Sequence, residues 1–359
     1  MKSLVNKLIK KRLEKIQNLI KKNKFDSVLI SNPINRRYLS GFTGSWGYLL
    51  ITENQSRLAT DSRYIIQAEK ESPEYEIISI SSQNPWPISI SDGLRINEIA
   101  FEPEDITVEN LKFLQEKTSF EWIPNPKMVS TLRSIKDEEE IKLIQKAIDI
   151  ADSSFNTISE NIKPGITEKE IAWKLEKHIR ELGAESLSFE TIVASGPNSA
   201  KPHHSPSNRK IQEKEPIVID MGAKYLGYCS DLTRTLFLGK PDEQYNKIYD
   251  TVLIAQLTAI ETLQMGMTGE KIDELARSII TNSGFGNNFG HSLGHGVGLE
   301  VHENPGVGPT SKNIIEENMV FTVEPGIYIE NWGGVRIEDI VLIKNGKTKI
   351  LSNAKKIKS

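Results

Sequence analysis

The chain has 359 residues, with 45 lysines and arginines against 48 aspartates and glutamates, for a formal net charge of −3. That length accommodates two domains with separate cores. The near balance of charge gives neither a nucleic-acid-binding nor a membrane-attracting field, so neither partner is expected.

The chain opens on MKSLVNKLIKKRLEKIQNLIKKNKF, where Leu4, Leu8, Ile9, Leu13, Ile16, Leu19 and Ile20 recur at helical spacing. Basic residues run through the segment, so it lacks the apolar centre of a signal peptide. Its basic face leaves a membrane-surface helix open, but the strand-like SVLIS that follows directly favours packing on a first domain. No run of about 18 apolar residues occurs, so no transmembrane helix is expected. SVLIS and GYLLIT read as strands, and Asp61 or Ser62 reads as the N-cap of a helix. NRRYLSGFTGSWG, with Tyr38, Phe42 and Trp46 among glycines, reads as an exposed, shaped loop, buried aromatics being the ordinary alternative. The mixture predicts an α/β layer domain over residues 1–130. Residues 122–136, with Pro124 and Pro126, read as the linker into a second domain over 131–359.

From Asp137 the pattern changes. DEEEIKLIQKAIDIADSSFNTISENI places acids in its first turn and apolar residues at helical spacing, ending at Pro164 and Gly165. Thr167 and Glu170 form a capping-box pattern opening the next helix, with Gly183 as its stop. The arrangement returns further on, where a helix from Asp242 ends in QMG and Thr268 opens another. The junctions align as Gly165-Ile166-Thr167-x-x-x-Ile171 and Gly266-Met267-Thr268-x-x-x-Ile272. Each helical pair precedes glycine-rich strand-like sequence with two acids: Asp220 (VIDMGA) with Asp231 (CSDLTRT), then Glu324 (FTVEPGIY) with Glu338 (GVRIEDI). The order predicts a duplicated unit whose halves meet around these acids.

Asp220 to Asp231 reads as two strands around a turn at 223–226, and Glu324 to Glu338 repeats the device with a turn near 331–334. Four carboxylates in one pocket repel, and most would take up protons. Two divalent cations neutralise them, and the imidazole of His295 completes a shell of oxygen and nitrogen donors that favours manganese, with cobalt, zinc or iron as the other options. His291 and His295 are four apart, a zinc-type pair on a helix. Gly290, Gly294, Gly296 and Gly298 argue for strand or loop instead, at about 1 kcal/mol each in a helix. His178 falls on a surface helix, and His204 has no assigned role. Cys229, the single cysteine, excludes an intrachain disulfide and suits a reducing, cytoplasmic compartment. Lying between Asp220 and Asp231, it reads as a buried strand residue ahead of a thiolate ligand. Arg336 reads as a brace for the neighbouring carboxylates, an ordinary surface arginine being the alternative. No run has Walker or dinucleotide-binding spacing.

NPINRRYLSGFTGSWGYLLIT, LATDSRYIIQA, FETIVASGPNSAKPHH, VIDMGAKYLGYCSDLTRT, GHGVGLEVHE, MVFTVEPGIYIE and GVRIEDI occur in that order over nearly the whole chain. The sequence thereby resembles the proline-specific branch of the pita-bread metallopeptidases, the Xaa-Pro aminopeptidases and Xaa-Pro dipeptidases (prolidases). The resemblance implies a creatinase/prolidase-type α/β domain, then a pita-bread α+β domain of two pseudo-twofold halves. It implies two divalent ions per subunit, with Asp231 and Glu338 bridging, Asp220 on one ion, and His295 and Glu324 on the other. A bridging hydroxide would be the nucleophile and Glu324 the proton shuttle. His203 and His302 would contact substrate and transition state, and His291 would contact substrate. Short proline-containing peptides and a second subunit, making a homodimer, are the implied partners. Methionine aminopeptidase shares the five ligands but lacks the first domain. A non-enzymatic or metal-free relative such as creatinase loses ligands that this chain retains. The dipeptidase branch often carries arginine just after HExP, where HENPGVGP has Gly306, which leaves dipeptidase against aminopeptidase open.

Overall fold

A computed structural model describes residues 2–358, with side chains from Lys7 onward. Two compact units divide the chain, residues 1–133 and 134–359.

The first unit begins with the helix Lys2–Asn23. Ile9, Leu13, Ile16 and Ile20 are buried along its apolar stripe, while Leu4 lies outside the described side chains. A six-stranded mixed sheet follows, with Ser27–Ile30 and Tyr48–Thr52 as central antiparallel neighbours. The aromatic segment differs from the exposed-loop expectation. Asn32 caps a helix over Pro33–Ser40, and Tyr38 and Phe42 are core residues at 2% and 1% exposure. The buried Arg36 bonds the carbonyls of Gly44 and Gly47 (2.7 and 2.5 Å), fixing the glycine turn from inside. Asp61 and Ser62 are not N-caps either. Asp61 ends a strand and pairs with Arg63, and the helix Ile65–Glu71 starts at Tyr64 with no side-chain cap. Nor is 122–136 an open linker, since Glu121–Pro124 is an edge strand with Trp122 in the core, and Met128–Ser134 is helical. Pro124 passes for a linker signal because an edge strand tolerates proline, and Pro126 lies in the turn before the helix.

Glu102 shows burial overcoming hydrogen bonding in this unit. It accepts bonds from the amides of Ser31 and Asn32 and from Asn35 Nδ2, which favour the anion. Burial outweighs them and pushes its pKa up to about 7 from 4.5. The folded state then holds the extra proton, so this group's contribution is fully present below about pH 4.5 and lost as pH rises to about 7. Glu102→Gln is expected to remove up to about 3 kcal/mol of that loss. Urea midpoints at pH 5 and 7.5 would read it, and equal pH slopes in both proteins would sink the idea.

The second unit is built twice. The helices Glu138–Ser159 and Glu168–Glu181 have capping boxes from Asp137–Glu140 and Thr167–Glu170, and Glu243–Thr262 and Gly269–Asn282 follow with Asp242 and Thr268 as caps. Thr167 and Thr268 each form an isolated bridge, to Lys210 and Ile314, and Gly165 and Gly266 take φ of 93° and 90°. The strand pattern repeats as well. Pro216–Met221 pairs antiparallel with Leu232–Phe237, and Val320–Val323 with Asp339–Lys344. Between the first pair lies a small hairpin, Ala223–Tyr225 with Tyr228–Cys229; between the second lies Gly326–Ile329 with Gly333–Arg336. The first hairpin turns at Leu226 and Gly227, both at positive φ, a little beyond the expected turn. Cys229 is buried on it. Each half has its own apolar core between helices and sheet. Among the described residues, no helix is long and apolar enough to cross a membrane.

Candidate metal centre

The four acids stand at corresponding points of the two repeats. Asp220 lies near the end of its strand and Asp231 immediately precedes the partner strand; Glu324 and Glu338 flank the paired ends Val323 and Asp339. Strand ends hold backbone direction firmly while freeing the side chain to face a cavity. The cavity measures about 490 Å³ and is lined by all four acids together with His203, His291, His295, His302 and Arg336.

His295 sits on the strand Gly294–Gly296, as its glycine neighbours suggested. A Cβ on Gly294 would lie 1.9 Å from the Thr322 carbonyl oxygen, and one on Gly296 would lie 2.1 Å from that of Asn304. The glycines therefore serve close strand packing. His295 Nδ1 is 3.1 Å from the Gly296 carbonyl oxygen, which places the N–H there and turns Nε2 to the acids. Nε2 lies 3.3 Å from Glu324 Oε1 and 3.6 Å from Asp231 Oδ2. A bare lone pair facing two carboxylates is repulsive unless a proton or a cation intervenes.

The surrounding bonds steady the acids without neutralising them. Arg336, 3% exposed and thus no surface arginine, donates to Asp220 Oδ2 (2.7 Å), the Tyr328 hydroxyl (2.7 Å) and Thr233 Oγ1 (3.0 Å). Thr233 passes its own hydroxyl to Glu338 Oε2 (2.8 Å). One guanidinium thus ties Asp220 directly, and Glu338 through Thr233. Burial and neighbouring carboxylates still hold Asp231 and Glu338 well above the usual range, and burial raises Asp220 despite Arg336. Burial opposes ionisation of Glu324 too, but His295 wins and lowers it. Among the described residues, Asp220 Oδ1 and Glu338 Oε1 find no hydrogen-bond partner although both are buried. Asp231, His295 and Glu338 offer donor atoms within 4.8 Å of one another. Buried, unpaired carboxylate oxygens beside an imidazole lone pair are the donor set that divalent cations require.

His302 packs its ring edge-on against His295, with 4.1 Å between centroids and 67° between ring planes. His291 is fixed by the Ser292 carbonyl (2.8 Å) and the Tyr328 hydroxyl (3.0 Å). Burial lowers the pKa of both His291 and His302. Three participants escaped the sequence reading. Thr233 was legible only as strand sequence and Tyr328 only as an aromatic in FTVEPGIY. His204 lines the same cavity and binds Glu168 at 2.9 Å.

Two similar α/β halves closing four acids and an imidazole around one cavity define a metal-dependent hydrolase. The chain belongs to metallopeptidase family M24, whose model matches residues 142–345, with a Creatinase/Prolidase N-terminal domain matching residues 12–135. It is 38% identical to the Xaa-Pro dipeptidase of Pyrococcus furiosus, over 97% of this chain and 99% of that one. The solved Xaa-Pro dipeptidase from Bacillus anthracis superposes with a TM-score of 0.92 at 38% identity, covering 97% and 99% of the two chains. The X-Pro aminopeptidase from Thermotoga maritima gives 0.89 at 39% identity, covering 96% and 98%.

Proposed function

We propose that this chain is a metallo-exopeptidase that cleaves the bond preceding proline at the N-terminus of short peptides, Xaa-Pro dipeptides included. The observation that carries the reading is the pair of unpartnered carboxylate oxygens, on Asp220 and Glu338, in a cavity that His203, His291 and His302 also line. Asp220, Asp231, His295, Glu324 and Glu338 would hold two divalent ions, with the oxygen-rich set favouring manganese. Asp231 and Glu338, at 6% and 1% exposure, are the two most buried of these acids and would hold the ions from the inner side of the set. Bound ions supply charge to hold the scissile carbonyl and acidify water towards neutrality.

The chain's own residues divide the remaining work. Glu324 takes the proton of the attacking water and passes it to the departing nitrogen. That delivery matters for proline, whose amide has no N–H and whose nitrogen leaves only when protonated. His203 and His302 donate to the developing oxyanion, and His291, held by Ser292 and Tyr328, orients the substrate.

Gly306 bears on chain length. It is the register partner of His295, so a side chain there would project to the same face. A Cβ would meet nothing nearer than 3.6 Å, so packing does not demand glycine. Glycine at this position supplies no cation for a dipeptide's free carboxylate, which favours acceptance of longer peptides. The metal-loaded enzyme is therefore expected to cleave an Xaa-Pro-Xaa tripeptide at least as efficiently as an Xaa-Pro dipeptide, and to lose both activities to a chelator. Cleavage of the dipeptide alone would assign a strict dipeptidase. Failure on both substrates with metal bound would leave a binding protein of the same fold. The reading includes a cytoplasmic homodimer, the dimer being the commonest closed assembly; sedimentation of the same preparation as a monomer at micromolar concentration would remove it.

A further inference from the structure

We propose that Glu168, with His204, is a positioning residue that holds the loop bearing His203 against the cavity and thereby governs turnover. The inference rests on the role assigned above to His203.

The loop leaves the strand Ile192–Ser195, makes the short turn Gly196–Ala200 and returns at Lys210, the partner of Thr167. Residues 201–207 belong to no strand or helix. A segment of that kind opens easily unless its polar groups are tied down. Glu168 does the tying. Its side chain is fully buried and accepts from Ser195 N and Oγ (both 2.8 Å), Asn198 Nδ2 (3.1 Å), His204 Nε2 (2.9 Å), and Ser207 N and Oγ (3.0 and 2.6 Å). One carboxylate thus gathers the start, middle and end of the loop.

Helix capping does not account for this. Thr167 and Glu170 already close the capping box of that helix, and both remain near the surface while Glu168 turns inward. A buried carboxylate is costly unless its lone pairs are used. Here burial works to raise its pKa, and the bonds from Ser207, His204, Asn198 and Ser195 overcome it, leaving about 2. The anion is the form the cage is built around.

The other end of the lever is at the metal site. His204 binds Glu168 from the cavity wall, and its neighbours Pro202 and His203 line the same cavity with Asp220 and His302. The Pro202 carbonyl also receives Arg336 Nη1 at 3.4 Å. His203 is therefore held between the Glu168 cage and the arginine that braces Asp220. A misplacement of about 1 Å in such a group can cost about 10² in rate.

The test uses the metal-loaded full-length enzyme in four forms: Glu168→Gln, His204→Ala, His203→Ala and the double variant Glu168→Gln/His203→Ala. Glu168→Gln is expected to lower kcat about 10–10²-fold with unchanged metal content and KM within about twofold. His204→Ala, which removes one tie, is expected to lower kcat less, and it carries the test if Glu168→Gln fails to fold. The double variant should be no slower than His203→Ala alone, because Glu168 acts through that histidine. Amide hydrogen exchange over residues 196–207 should quicken in Glu168→Gln. Wild-type kcat in both Glu168→Gln and His204→Ala, a double variant slower by the full Glu168→Gln factor, or unchanged exchange in the loop would each overturn the positioning role. Wild-type kcat in His203→Ala with quickened loop exchange would instead overturn the role given to His203 and leave the cage standing.

Discussion

Asp231→Ala is expected to lose at least about 10³ in kcat/KM, the scale of removing a preorganised electrostatic group, and to lose bound metal with it. Asp231 lines the cavity together with His295 and Glu338, their donor atoms lying within 4.8 Å of one another. On the proposed two-ion reading, a ligand at that point would serve both ions, so its removal would empty more than one coordination position. The protein without metal should tolerate the change, because a truncated aspartate relieves carboxylate repulsion with Glu338, Asp220 and Glu324. Stabilisation on adding metal, which follows from binding to the folded state alone, should shrink. Metal analysis, steady-state kinetics and melting with and without added cation check the three parts. A fully active, metal-replete Asp231→Ala enzyme would remove Asp231 from the centre.

His302→Ala should behave in the opposite way with respect to metal. Its ring lies edge-on to that of His295 and opens to the cavity, a place suited to reaching substrate. Loss of one transition-state donor costs about 10²–10³ in kcat. The metal content should stay at the wild-type level and KM should change little, because the bond is made as the oxyanion forms. Loss of metal from a normally folded His302→Ala protein would move this histidine into the ligand set.

Much of this architecture was legible locally. The capping box at Thr167 and the cap at Thr268 lie where the sequence places them, because a cap is a contact between residues a few positions apart. The duplication showed in the Gly-Ile-Thr and Gly-Met-Thr junctions, and the structure repeats bridges, strands and hairpins around them. The clustered histidines and strand-end acids were visible as residue types in rigid, glycine-rich sequence. Where the reading failed, partners distant in the chain decided the outcome. Tyr38 and Phe42 looked like loop aromatics, but the fold buries them. Trp122 looked like linker, yet it pairs opposite Ile99 on a neighbouring strand. His204 looked idle because its partner, Glu168, lies 36 residues away.

By itself the sequence determined the inventory: the acids and imidazoles available, the helices that flank them, and the two-fold repetition of the unit. Only the tertiary structure decided how that inventory is wired. Arg336 reaches Asp220 across 116 positions, and Thr233 reaches Glu338 across 105. Strand side chains alternate between faces, so a slip of one residue in pairing Thr233 with Asp220, or Asp339 with Val323, would turn these groups away from the cavity. That register is set by packing of both cores at once, a property no local window of sequence contains.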